Sequence, residues 1–239
     1  MAHPSELSVR LDGGGGVPAR VYASEARSPA AALVLGHGAG AGQRSPFMTT
    51  FAAALASLGL DVVTFDFPYI ARGRRLPDAR PALEACYRAV IAAVARDLES
   101  AHHHLFTGGK SMGGRVATHV SAEDPGQRVD GLVLLGYPLH PPGRPGQRRD
   151  AHLPGVQRPM LFVQGSRDAF GTPAELEPVL ASLAPPPTLH VVPGGDHSFK
   201  IRGDSRAQAA VYEDIQRAIA RWIADLIGGG RGGTRPPPR

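Results

Sequence analysis

The chain has one cysteine, Cys86, in 239 residues. No internal disulfide can form, which fits a reducing compartment. Long apolar runs are also missing. None approaches the ~20 residues needed to span a bilayer, so no membrane association is expected. The N-terminus, Met1-Ala-His-Pro-Ser-Glu6, lacks both the basic and the apolar region of a signal peptide. The expectation is a soluble, cytoplasmic protein. Aromatic residues are few, at 6%, and they do not interleave with the scattered arginines in the manner that stacks bases. The formal charge is +5, but three of those charges, Arg231, Arg235 and Arg239, sit in the Gly/Pro-rich stretch from Gly228 onward. The body without that stretch is close to neutral, so nucleic acid is not an expected partner.

Apolar residues make up 42% of the sequence, enough for one large domain with a well-buried core. Leu7–Leu11 and Val17–Tyr22 flank Gly13–Gly16 and read as a hairpin with an overlong turn. Beyond it, short apolar runs alternate with helical periodicity. Strands are predicted at Ala31–Leu35, Val62–Phe65, Leu105–Thr107, Leu132–Leu135, Met160–Val163 and Leu189–Val192. Helices are predicted at Phe47–Leu58, Pro81 to about Ser100, the Ser111 region to about Ala122, Pro173–Leu183 and Arg206–Ile227. That alternation implies an α/β class with a mostly parallel sheet and helices on both faces. Residues 1–227 form one expected domain, and Gly228–Arg239 is expected to be disordered. From Pro138 to Arg158 the chain is rich in Pro, Gly and Arg with little apolar periodicity, and there is room only for a loop.

The segment Leu105-Phe-Thr-Gly-Gly-Lys-Ser-Met-Gly-Gly-Arg-Val-Ala117 joins a strand to a helix through a G-x-S-x-G turn. Such a turn lifts the serine oxygen, here Ser111, above the sheet edge, and Gly109 and Gly113 let strand and helix approach closely. The helix N-terminus offers free N–H groups to a developing oxyanion. Gly-Gly-Lys-Ser also resembles part of a P-loop, but the first glycine that motif needs is missing.

A nucleophilic serine needs an acid and then a histidine, each just beyond a strand. Asp168 follows Met160-Leu-Phe-Val-Gln-Gly165, and His197 follows Leu189-His-Val-Val-Pro-Gly-Gly-Asp196. Ser111, Asp168 and His197 are therefore the candidate catalytic residues, with His197 as general base and acid and Asp168 fixing its tautomer. Asp196 is read as a loop former. Leu35-Gly-His-Gly-Ala-Gly-Ala-Gly42 supplies a second donor, so the candidate oxyanion hole is the backbone N–H groups of Ala39 and Met112. His37 is read as a brace for that loop. Gly38, Tyr69 and Phe199 are candidate substrate contacts, with Asp66 and Tyr69 either lining the pocket or pairing with nearby arginines.

Gly36-His-Gly-Ala-Gly40, Phe65-Asp-Phe-Pro-Tyr69, Gly108–Arg115, Gln164–Gly171 and Gly194–Phe199 together resemble the predicted small hydrolases of the dienelactone-hydrolase-like branch. That group includes a subunit of the non-specific-lethal chromatin complex and compact bacterial relatives. The resemblance runs from about Ala31 to Ile227 and implies the α/β-hydrolase fold with a Ser111–Asp168–His197 triad. It implies no substrate. True dienelactone hydrolases use cysteine as nucleophile, and serine at 111 argues against that particular reaction.

The expected function is hydrolysis of a carboxylic ester or thioester of a small soluble substrate through a Ser111 acyl-enzyme. Two alternatives stand beside it: a non-catalytic interaction module, and acyl transfer or peptide cleavage by the same triad. No cofactor or metal is called for. His102-His-His104 is read as solvated, Cys86 as a packing residue, Lys110 as packing or pairing near the elbow, and Arg72, Arg74 and Arg75 as a solvated run. If one of those three arginines faces Ser111, an anionic acyl group is the expected substrate. Oligomeric state is not legible.

Overall fold

The computed structural model describes residues 4–26 and 30–229. Strands β1 (Ser5–Arg10) and β2 (Gly16–Tyr22) form the opening antiparallel hairpin. Six parallel strands follow: β3 (Ala31–Gly36), β4 (Leu60–Phe65), β5 (Leu105–Lys110), β6 (Gly131–Leu135), β7 (Met160–Gly165) and β8 (Thr188–Val192). All eight join in one sheet of order β1-β2-β4-β3-β5-β6-β7-β8, with β2 antiparallel to β4. The order reverses direction after β4, so the carboxyl ends of β3 and β5 open a crevice at the centre of the sheet.

The helices are α1 (Pro46–Ser57), α2 (Pro68–Ala71), α3 (Arg80–Asp97), α4 (Glu99–His103), α5 (Met112–Glu123), α6 (Pro173–Leu180) and α7 (Ser205–Gly229). Strict alternation along a fully buried strand splits the core into two layers. From β3, Ala32 and Val34 face α3 and α5 with Tyr87, Val90 and Val120. Ala31, Leu33 and Leu35 face α1 and α7 with Phe51, Leu55, Ile215 and Ile219. Each fully buried Leu or Ile contributes ~1.5–3 kcal/mol of transfer free energy, and together these residues hold the sheet edge rigidly. The result is an α/β-hydrolase fold, with no lid domain among the described residues. The connection from β6 to β7 contains only one 3-10 turn, Leu153–Gly155.

Several predicted boundaries move, each for a local reason. Strand β5 runs three residues past Thr107 because Gly108, Gly109 and Lys110 pair with Val133, Leu134 and Leu135 of β6. The long helix predicted from Pro81 breaks at Leu98, whose extended backbone (φ −105°, ψ 123°) starts α4 anew. Helix α6 stops at Leu180, three residues short of expectation. Helix α7 continues through Gly228 and Gly229, which the sequence assigned to the tail; residues 230–239 lie outside the described residues. His102 and His103 are exposed at the end of α4, and Cys86 is buried in the core, where burial pushes its thiol up to about 12. Among the described residues no helix is long and apolar enough to cross a membrane.

Candidate active site

Ser111 stands between β5 and α5 with φ 51° and ψ −112°. A non-glycine residue held there stores ~1–3 kcal/mol of strain, and its neighbours hold it in place. The Ser111 N–H donates to Leu135 O at 2.9 Å, and Arg115 N–H donates to Ser111 O at 3.1 Å. A Cβ on either Gly109 or Gly113 would run into the carbonyl oxygen of Gly36. Below the turn, the buried Tyr87 hydroxyl bonds both the N–H (3.0 Å) and the carbonyl oxygen of Gly108. Strand, helix and core therefore leave Ser111 one conformation.

The next two residues reach Ser111 from the ends of β7 and β8. His197 Nε2 lies 2.8 Å from Ser111 Oγ, which places the hydroxyl to donate to an unprotonated ring nitrogen. His197 Nδ1 lies 2.8 and 3.0 Å from the two oxygens of Asp168 and donates to that carboxylate. Asp168 is 1% exposed. Its remaining capacity is filled by Phe170 N–H (2.8 Å) and by Gln164 Nε2 (2.9 Å). Phe170 also stacks on the His197 ring, with centroids 4.1 Å apart. Asp196 shapes the loop as expected, its Oδ1 accepting from Ser198 and Lys200 N–H.

The loop after β3 lies across the top of Ser111. An added Cβ on Gly38 would sit 3.7 Å from the Ser111 Cβ. The loop is braced from beneath. His37 donates from Nδ1 to Gly38 O (2.8 Å) and accepts Phe67 N–H at Nε2 (3.1 Å), and burial lowers its pKa to keep it neutral. Asp66 accepts Gln43 N–H at 2.8 Å. Among the described residues, no hydrogen bond occupies the backbone N–H of Ala39 or Met112, and both residues line the cavity in front of Ser111.

Two of the expected substrate contacts are corrected. Tyr69 and Phe199 are each 0% exposed and do not line the cavity; Gly38 does. Tyr69 packs edge-on against His37, and its hydroxyl accepts Gly40 N–H at 3.3 Å, so it supports the loop from below. Among the described residues neither Tyr69 nor Asp66 pairs with an arginine. Phe199, at φ 61°, lies under the His197 loop beside Phe47.

Gln164 and Phe170, which the sequence left unassigned, shape the site together with Lys110, expected to pack or pair near the elbow. Gln164 is fully buried and ties Asp168 to Tyr137 N–H (2.9 Å) and Gly171 O (2.7 Å). Phe170 supplies the stacking face. Lys110 donates to His197 O at 2.6 Å between the rings of Phe47 and Phe199, and burial pulls its pKa down to about 8 against the opposing pull of Asp168 and Asp196. A glutamine directly before the β7 turn was the available signal for the first. Packing alone decides Phe170.

The cavity has a volume of about 800 Å³. Behind its wall, Glu84, His119 and Glu123 bring possible ligand atoms within 4.8 Å of one another. Arg80 and Arg88 already pair with the two carboxylates there, and burial, Arg115 and Arg80 lower His119 to about 4. The added positive charge of a dication would be opposed in such surroundings.

A model of the alpha/beta hydrolase domain matches residues 29–224. The chain belongs to this family. It is similar over 92% of its length to an alpha-beta serine hydrolase homologue from Coxiella burnetii, with 99% of that chain covered, 18% identity and a TM-score of 0.72. It is likewise similar to XC6422 from Xanthomonas campestris, described as a serine hydrolase without lid (23% identity, 93% and 96% covered, TM-score 0.70). A dienelactone hydrolase from Anabaena variabilis aligns at 22% identity over 93% of this chain and 98% of that one, with a TM-score of 0.71. At such identities the likeness is one of fold.

Proposed function

We propose that this hydrolase cleaves a carboxylic ester or thioester of a small soluble substrate through an acyl-enzyme on Ser111. The observation that carries the reading is the unbroken chain from Ser111 Oγ through His197 to Asp168, built on a serine at φ 51°. A scaffold has no physical need for that strain.

In the first half-reaction Ser111 Oγ attacks the carbonyl carbon while His197 Nε2 takes its proton. Asp168 keeps the proton of Nδ1 in place and stabilises the imidazolium. The carbonyl oxygen, now an oxyanion, accepts from the N–H groups of Ala39 and Met112. Such a donor typically contributes ~3 kcal/mol in the transition state. The tetrahedral intermediate collapses, the bond to the alcohol or thiol breaks, and His197 returns the proton to the leaving group. Water then attacks the acyl carbonyl with His197 as base, and Ser111 leaves with its proton restored. With no lid to supply an apolar cover, short soluble substrates suit the open cavity better than long-chain lipids.

A panel of p-nitrophenyl esters and acyl thioesters tests the reading. Turnover is expected with short acyl chains and is lost in Ser111→Ala. Turnover that survives in Ser111→Ala would overturn it.

A further inference from the structure

The cavity wall carries five cationic side chains, Arg80, Lys110, Arg115, Arg149 and Lys200, against one carboxylate, Asp78. Most of these charges are already engaged or free in solvent. Lys110 is held by the His197 carbonyl. Arg80 pairs with Glu84 and Glu123 and contacts His119. Asp78 pairs with Arg74, and Lys200 is exposed at the rim. The ion pairs of this region take in Arg74, Arg80, Arg88 and Arg148 and leave out Arg115 and Arg149. Among the described residues neither of those two guanidinium groups has a carboxylate within salt-bridge distance.

Both are nevertheless placed with care. Arg115 stands one helical turn beyond Ser111, tied to it by its N–H. Side chains of a helix lean towards its N-terminus, which here means towards the nucleophile. Arg149 has its backbone pinned at both groups: its N–H donates to Leu139 O at 2.9 Å, and its carbonyl accepts the Tyr137 hydroxyl at 2.6 Å. Both residues are only partly exposed. They also feel one another. Burial and then the Arg115 charge pull Arg149 below the usual arginine range, and the Arg115 charge adds to burial in lowering His152 to about 3. Two like charges, partly desolvated and lacking a protein counter-ion, repel each other until an anion lies between them. Planar guanidinium forks match a carboxylate bidentately, which an ammonium group cannot do.

We propose that the ester hydrolysed at Ser111 carries a carboxylate, bound between Arg115 and Arg149 on the β6 side of the cavity. This rests on the hydrolase reading above and names its substrate class. The anionic preference that the sequence attached to Arg72, Arg74 and Arg75 thereby passes to other arginines, because those three lie on the exposed stretch after α2 and do not line the cavity.

Two matched ester pairs test it. 4-Nitrophenyl hydrogen adipate and 4-nitrophenyl hexanoate differ by a carboxylate on the acyl side; 4-acetoxybenzoate and its methyl ester differ by one on the alcohol side. The anionic member of one pair is expected to show kcat/KM higher by about tenfold to a hundredfold, and that pair tells which side the carboxylate occupies. Arg115→Gln and Arg149→Gln should each shrink that ratio by about tenfold, with Arg115→Lys retaining part of it. Raising the salt to about 0.5 M should also shrink it. Turnover of both pairs with no anionic preference, or with a ratio indifferent to Arg115 and Arg149 variants, would overturn the anion site and leave the hydrolase reading standing. Failure of all four esters to react would overturn the hydrolase reading and this inference with it.

Discussion

Around Ser111 each polar group of the relay has a protein partner, whereas on the β6 side of the same cavity Arg115 and Arg149 pair with no carboxylate among the described residues. The first region is glycine-locked, buried and bonded in series from Leu135 O through His197 to Gln164. The second is half-exposed and held only by its backbone. Chemistry that must be repeated identically at every turnover is preorganised by the fold, while the groups that select a substrate wait for the substrate to complete them. Mutations in the two regions should therefore differ in kind: in the first they lower kcat for every substrate, in the second they re-rank substrates.

The largest effect belongs to the relay itself. Ser111→Ala should abolish turnover of every ester, by on the order of 10⁶-fold in kcat, with little change in thermal stability because alanine keeps the Cβ and the backbone conformation of the elbow. A next step down is Gln164→Leu. It removes a donor from Asp168 and leaves the buried Tyr137 N–H unpaired, costing ~1–3 kcal/mol of stability. Mispositioning of the His197–Asp168 pair should lower kcat up to about a hundredfold, equally for anionic and neutral esters. A loss confined to one ester class would break the division between the two regions.

Lys110→Met should act more weakly on kcat, through the slackened His197 loop, and it has a signature in pH. The folded amine titrates at about 8, against 10.5 for the free group. Between those values the unfolded chain binds the extra proton, so this residue's contribution to stability rises with pH from about 8 to about 10.5. Thermal melts of the native protein and Lys110→Met should therefore shift in the native protein's favour across that window. A constant difference would contradict the buried cation. The smallest effect is expected from Tyr69→Phe. Losing the acceptor for Gly40 N–H should cost ~1 kcal/mol and lower kcat about fivefold, leaving KM for short esters unchanged. A large rise in KM would restore Tyr69 to the substrate surface.

Much of this division was legible in the sequence, for physical reasons. Glycines at 109 and 113 and the ordered Ser111, Asp168 and His197 announce themselves because a strained elbow tolerates few residue types. The strands were visible because parallel strands buried on both faces are continuous apolar runs. Tyr69 and Phe199 were misread because nothing in a sequence distinguishes an aromatic ring above a loop from one beneath it. Both end up fully buried. Arg115 and Arg149 come from a helix and from a Pro/Gly/Arg-rich connection, and only the packing of α5 beside β6 brings them together. The break at Leu98 likewise depends on how α3 meets the sheet and leaves no mark in the apolar periodicity.

The central claim, a nucleophilic Ser111 activated by His197, is tested most directly by labelling with a fluorophosphonate probe and mapping the modified peptide by mass spectrometry. The account predicts one adduct, on Ser111, absent in Ser111→Ala and strongly slowed in His197→Ala. A folded protein that resists the probe while a control esterase reacts, or that carries the adduct elsewhere, would contradict it.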